Sequence, residues 1–414
     1  MKQFEVPAFY RSHIISKVKA QRKLADPRKK DFSPTELQVG KVTFVIARHF
    51  GFCYGVENAI EKSYKAIHEN PTKRIFLLSQ MIHNPAVNED LISHGLQFLQ
   101  DTEGNQLIPF DTLTKEDLVI IPAFGTTLEI EEKLKVIGVD IATYNTTCPF
   151  VEKVWNRSEK LGETNHTIII HGKHKHEETR ATFSHSSKNA PSLIVKDIEE
   201  ARILGDYILG KLDISSFEAV FKEKYSPGFD ATRDLTKIGV VNQTTMLASE
   251  TQEIALYLRE VMLLKYGTDV IKEHIADTRD TLCYATNDNQ TATLALMETA
   301  ADMAIIVGGY NSSNTSHLVE LLEQKFPCYF IKDESEILSQ EHIRSFDIHS
   351  KTISDSSFLS AESNHRIILT SGASCPDSIV DGVMMKILSF FHSEEELNTI
   401  FDRENTANEI KSIL

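Results

Sequence analysis

Short apolar runs alternate with amphipathic stretches from about residue 40 onward. The runs are "VTFVIA" (42–47), "RIFLLSQ" (74–80), "LVIIPA" (118–123), "TIIIH" (167–171), "LIVK" (193–196), "KIGVVNQ" (237–243), "AIIVG" (304–308), "YFIK" (329–332) and "RIILTSG" (366–372). Most are continuously apolar, the pattern of parallel strands covered on both faces. Between them lie stretches of helical period such as "GVENAIEKSYKAI" and "PFVEKVWNRSEKL". Strand and helix in alternation predict an α/β protein. Two polar segments, 199–233 and 336–364, read as surface insertions.

Composition adds limits. A chain of 414 residues suggests about two or three domains. With 41% hydrophobic and 25% charged residues it can bury a core. The formal net charge of −15 argues against a nucleic-acid partner but not against a small anion held by a few local groups. No apolar run approaches the roughly 18 residues of a membrane span, so no membrane partner is expected. Residues 1–40 are rich in Lys and Arg ("KVKAQRK") but lack the apolar centre of a secretory signal. They read as a loose or surface-docked extension. The expected location is cytoplasmic, or a plastid-type compartment if this segment is a targeting sequence.

Five cysteines, an odd number in a long chain, make a disulfide framework improbable. Three share a context. Cys53 precedes "YGVENAI", Cys148 precedes "PFVEKVW" and Cys283 precedes "YATNDNQ", each where a loop enters a helical pattern. The free N–H groups and dipole at a helix start favour an anion and depress a thiol's pKa. Cys328 and Cys375 lack that setting and read as structural. Three thiolates with one open position suit zinc or an iron–sulfur cluster, and no CxxC pair decides between them.

Ligands of open α/β sheets bind beyond the carboxyl ends of the strands, and here those ends are polar. They carry His83; His174, His176 and Glu178; Thr244 and Thr245; Ser312, Ser313 and Asn314; and Ser374. Each of "NSSN" and "SCPD" alone would be an ordinary helix cap. Several together, with two histidines, point to a bound anion. Glu178 beside His176 reads as an acid/base pair.

These stretches, "GFCYGVENAI", "MIHNPAV", "TTCPFVEKVW", "HEETRAT", "NQTTM", "CYATNDNQ", "GGYNSSNTSHL" and "SGASCPD", occur in an order that resembles the 4-hydroxy-3-methylbut-2-enyl diphosphate reductases of the methylerythritol phosphate pathway of isoprenoid biosynthesis. The resemblance spans about residues 42–393 and, through "AFG" and "HEET", leans towards the plant and cyanobacterial branch. It implies three α/β lobes in pseudo-threefold arrangement around one 4Fe–4S cluster. The expected limits are 1–40 for the extension, 41–147, 148–282 and 283–396 for the lobes, and 397–414 for a tail. Cys53, Cys148 and Cys283 would hold the cluster, leaving one iron open to the substrate's hydroxyl. Glu178, with His176 and Thr244, would supply the proton for dehydroxylation to isopentenyl and dimethylallyl diphosphate. His83, His176, Thr244, Thr245, Ser312, Ser313, Asn314 and Ser374 would bind the diphosphate. Reduced ferredoxin or flavodoxin would donate electrons. Two positions depart from the common pattern: Phe124 stands where many members carry a phosphate-binding histidine, and Asn58 where a basic residue is common. The alternatives are another three-lobed cluster enzyme, similar to quinolinate synthase, and a non-enzymatic iron–sulfur sensor that binds a diphosphate.

Overall fold

The computed structural model describes residues 7, 10, 12–276, 281, 283–360, 363–397, 399 and 400. Its strands are β1 (Thr35–Val39), β2 (Val42–Ile46), β3 (Ile75–Leu77), β4 (Gln97–Phe98), β5 (Leu118–Ile120), β6 (Thr167–His171), β7 (Ser192–Val195), β8 (Ile238–Asn242), β9 (Met303–Val307), β10 (Cys328–Ile331), β11 (His342–Phe346), β12 (Ile353–Ser357) and β13 (His365–Ser371). Every apolar run picked out above forms one of these strands. The α/β class therefore holds. The expected tail from residue 397 lies almost wholly outside the described residues.

The chain divides into two compact units. One draws on Met1–Cys53, His83–Pro85 and Asp288–Leu414, the other on Tyr54–Ile82 and Ala86–Asn287. The first holds a sheet of order β1-β2-β13-β9-β10, parallel except where β1 pairs β2. The strands β9 and β13 are buried along almost their whole length, which is why their sequences do not alternate. The antiparallel β11–β12 pair belongs to this unit and is mostly exposed. It makes up much of the expected 336–364 insertion.

Sheet membership does not follow chain order here. The strand β2, which opens the expected first lobe at residue 41, pairs with β13 in register Val45↔Ile368. Its sequence neighbour β3 pairs instead with β4 and β5.

Residues 12–39 are docked, not loose. The Asp381 carboxylate accepts from the N–H groups of His13, Ile14 and Ile15 at 2.6, 3.0 and 2.9 Å, and from Ser12 Oγ at 2.9 Å. It thereby satisfies the open N–H groups that begin the helix Ile15–Ala25. Lys19 Nζ then donates to the Phe50 carbonyl at 2.8 Å and to both Asp377 oxygens at 2.8 and 2.7 Å.

The second unit holds two three-stranded parallel sheets, β4-β3-β5 and β7-β6-β8. Phe76, Val119 and Leu134 centre the core of the first; Leu193, Leu204 and Leu258 belong to the largest core on the second. The segment 199–233 is not a surface insertion. It supplies the helix Ile198–Ile208, and Leu204, Phe217 and Phe221 from it are buried in that core. A few large apolar side chains at helical spacing do this inside a polar sequence. Among the described residues no helix is long and apolar enough to cross a membrane.

Candidate active site

Each of the three singled-out cysteines lies immediately before a helix. Cys53 precedes Tyr54–Glu69, Cys148 is the N-cap of Pro149–Glu163, and Cys283 precedes Tyr284–Met297. Pro149 opens its helix because the first turn needs no N–H from it. Cys53 belongs to the first unit; Cys148 and Cys283 belong to the second. None of the five cysteines is in a disulfide.

The other two thiols differ. Cys375 is fully buried and Cys328 begins β10; burial pushes the Cys328 thiol up to about 12 and the Cys375 thiol higher still. Cys283 corrects one expectation. Burial raises its thiol pKa, with the Glu178 carboxylate adding to the rise, against hydrogen bonds from the Thr286 and Ala285 backbone and the Thr286 side chain. The helix start alone does not outweigh desolvation. A coordinated metal would reverse that balance, since a ligating thiol is deprotonated outright. Among the described residues, no three His, Cys, Asp or Glu side chains are grouped to hold a metal ion.

The second unit gathers the proton-bearing groups. Glu178 lies on the first turn of the helix Glu177–Asn189 and is 1% exposed. Burial raises its pKa to about 7, opposed by hydrogen bonds from the Thr244 backbone N–H and side chain. His176 caps the same helix, its Nδ1 accepting from the Glu178 N–H at 3.2 Å. In the neutral ring the proton then sits on Nε2. Phe124 meets the His176 ring edge to face. Gly125, at φ +76°, turns the chain behind Phe124, and a Cβ there would lie 2.5 Å from the Trp155 ring. Thr245 accepts from Gln243 Nε2 at 2.6 Å; Gln243 Oε1 accepts from Thr179 Oγ1 at 2.9 Å and from the Lys173 N–H at 3.1 Å. His174 lies half-buried in the turn before His176, and Asn58 is half-buried on the Tyr54–Glu69 helix.

The first unit gathers the anion-binding candidates. Ser312 caps the helix Ser313–Leu322, accepting from the Thr315 N–H and Thr315 Oγ1 at 3.3 and 2.9 Å. Ser374 Oγ lies 3.4 Å from Ser312 Oγ and 3.3 Å from the His83 carbonyl. Asn314 accepts from the Ala373 N–H at 2.8 Å, leaving its buried Nδ2 without a partner among the described residues. Such a buried donor fits an anion, because leaving it unmet is costly. Gly309 lets this loop approach His83: a Cβ there would stand 2.3 Å from the His83 carbonyl oxygen. Ser313 is also buried on this helix. The Cys53 N–H donates to the Ala373 carbonyl at 3.2 Å, tying the cysteine loop to the same turn.

Sequence reasoning missed Gln243, Thr179 and Thr315, which hold the named residues in place. A signal was present: "NQTT" and "NSSNTSHL" are polar runs directly after apolar strands. A polar residue there that helps to build a site must be buried.

Comparisons with known proteins give the chain's family and fold. A family model described as LytB protein matches residues 44–388. The 4-hydroxy-3-methylbut-2-enyl diphosphate reductase of Synechococcus sp. (strain WH7803) is 40% identical over 360 residues, covering 87% of this chain and 88% of that one. The reductase of Thermosynechococcus vestitus is 40% identical over 353 residues, covering 85% and 86%. Among solved structures, the E-1-hydroxy-2-methyl-but-2-enyl-4-diphosphate reductase from Plasmodium falciparum has a TM-score of 0.57 at 21% identity, covering 82% of this chain and 85% of that one. A second reductase structure, described as the terminal enzyme of the non-mevalonate pathway, gives 0.51 at 22%, covering 85% and 100%. The structures share the fold, and the sequence matches cover most of both chains, so the chain belongs to the LytB family, that of the 4-hydroxy-3-methylbut-2-enyl diphosphate reductases.

Proposed function

We propose that the chain converts 4-hydroxy-3-methylbut-2-enyl diphosphate to isopentenyl and dimethylallyl diphosphate. Two electrons and two protons enter, the C–O bond breaks, a C–H bond forms and water leaves. The observation that carries this reading is Glu178: a carboxyl at 1% exposure, with a pKa of about 7, whose charge acts on the Cys283 thiol. A general acid works best with a pKa near the operating pH. Pure anion binding gains nothing from a carboxylate, which weighs against a sensor.

Cys53, Cys148 and Cys283 would hold the iron–sulfur cluster, which we take to be one 4Fe–4S unit. The donor set fits, being three thiols at helix starts, one of them already receiving N–H bonds. When bound, the cluster supplies single electrons and Lewis acidity at the hydroxyl. Glu178 holds the proton that leaves with the hydroxyl as water, and the Thr244 N–H and side chain fix the carboxyl in place. His83, His176, Thr245, Ser312, Ser313, Asn314 and Ser374 bind and orient the diphosphate. A ferredoxin or flavodoxin delivers the electrons. Such chemistry belongs to a reducing compartment, the cytoplasm or a plastid-type equivalent.

The test is product analysis of anaerobic, cluster-loaded protein given the allylic diphosphate and a chemical reductant. Isopentenyl and dimethylallyl diphosphate should both appear, and Glu178→Gln should abolish most of their formation without loss of iron. Full turnover by that variant would end the proposal.

A further inference from the structure

Behind the anion-binding loop, the Ser313–Leu322 helix carries a further polar chain. Ser313 Oγ lies 3.4 Å from His317 Nε2, and His317 Nδ1 lies 2.5 Å from Glu320 Oε2. Residues at i, i+4 and i+7 share one helix face. Ser313 and His317 are 4% and 3% exposed, so water does not compete freely for either. The Glu320 side chain reaches the surface at 35%.

A carboxylate only accepts, so His317 Nδ1 carries a proton. Nε2 then decides which way the Ser313 hydroxyl points. With Nε2 bare, Ser313 donates to it and turns lone pairs outward, towards whatever approaches. With Nε2 protonated, Ser313 accepts from it, and its own O–H is released outward as a donor. Only the second state suits an anion, and the Glu320 contact holds the ring with its Nε2 aimed at Ser313. We propose that His317, held by Glu320, is a positioning residue that turns the Ser313 hydroxyl into a donor for the substrate's diphosphate. The inference rests on reading Ser313 as an anion-binding group.

The experiment is a double-mutant cycle on anaerobic, cluster-loaded protein. Inorganic diphosphate is titrated by calorimetry, and kcat and KM are measured alongside. Ser313→Ala and His317→Phe should each weaken binding about tenfold, the loss of one good hydrogen bond to a charged group. The double variant should be no weaker than either. His317→Phe should raise KM and leave kcat within about twofold, because the hydrogen bond is the same in ground and transition states. His317→Gln, whose amide can still donate to Ser313, should recover most of the affinity. Glu320→Gln sits at a partly exposed site and carries the same cycle if the Phe variant does not fold; its several-fold loss should vanish in the Ser313→Ala background.

Losses that multiply, or a His317 variant that binds normally while Ser313→Ala does not, overturn the positioning role and leave Ser313 in the anion site. Unchanged affinity in Ser313→Ala itself removes Ser313 from that site, and the role of His317 with it.

Discussion

The Phe124 and His176 rings meet edge to face, their centroids 5.5 Å apart and their planes at 84°. A phenyl ring offers phosphate no hydrogen bond, but here it props the imidazole that can. Aromatic pairs of this geometry contribute about 0.5–1.5 kcal/mol beyond their buried area. Phe124→Ala should therefore weaken diphosphate binding several-fold by freeing the His176 ring. Phe124→His should gain little, since the pocket is packed around a ring without donors. His83→Phe should cost about ten- to a hundredfold. Calorimetric titration of the three variants orders them, and a large gain in Phe124→His would contradict the assignment.

Glu178 sets a pH dependence whose sign is fixed. As the proposed acid, Glu178 must be protonated to act, so turnover should fall as pH rises through about 7. Glu178→Gln should lose that limb along with about 10²–10⁴ in rate. Stability follows the same direction. The folded pKa is raised above the ordinary 4.5, so the fold is most stable with the carboxyl protonated and loses stability as pH climbs from about 4.5 to about 7. The full difference is roughly 3 kcal/mol. Melting temperatures across that window should decline in the wild type and stay flatter in the Gln variant.

The cysteines should divide three to two. Ser at position 53, 148 or 283 should abolish the full complement of iron and sulfide, while Ser at 328 or 375 should leave it intact. Cys375→Ser will still cost stability, because it places a hydroxyl where nothing is exposed. Anaerobic iron and sulfide counts separate the two outcomes, and a full complement in Cys148→Ser would refute the ligand set.

Lys19 and Asp377 offer a separate test of the N-terminal segment. Burial raises the Asp377 pKa and the Lys19 ammonium lowers it, so the carboxylate depends on its partner. Lys19→Met should destabilise the protein by about 1–3 kcal/mol, since the pair is only partly shielded from water. Adding Asp377→Asn should return part of that loss. Thermal unfolding of the single and double variants measures both.

The sequence announced the sheets well because parallel strands are covered on both faces and show as unbroken apolar runs. It announced the cysteine and glutamate positions because each stands where a loop enters a helix. What it hid has a physical reason in each case. The strand β1 reads "TELQV", half exposed, with no unbroken run to detect. The segment 199–233 buries Leu204, Phe217 and Phe221 at helical spacing inside a polar composition. Asp381 looked like any helix acid, and only the fold brings it to the N–H groups of residues 13–15. Pairings between residues so distant in sequence leave no local trace.

The pairing of β2 with β13 also orders events during synthesis. The strand Val42–Ile46 can fold back on β1 early, but its other edge stays open until His365–Ser371 has left the ribosome. At usual elongation rates that wait is on the order of tens of seconds. Through it Phe44, Val45 and Ile46, all fully buried in the finished protein, have no partner on that side. Cys53 waits as well, because its N–H bonds to Ala373, which follows β13. Nascent chains thus present an apolar strand edge for chaperones to cover, while the nearly continuous unit from residue 54 to 287 can close earlier. Any metal that needs Cys53 in its final place must be delivered after translation has nearly finished.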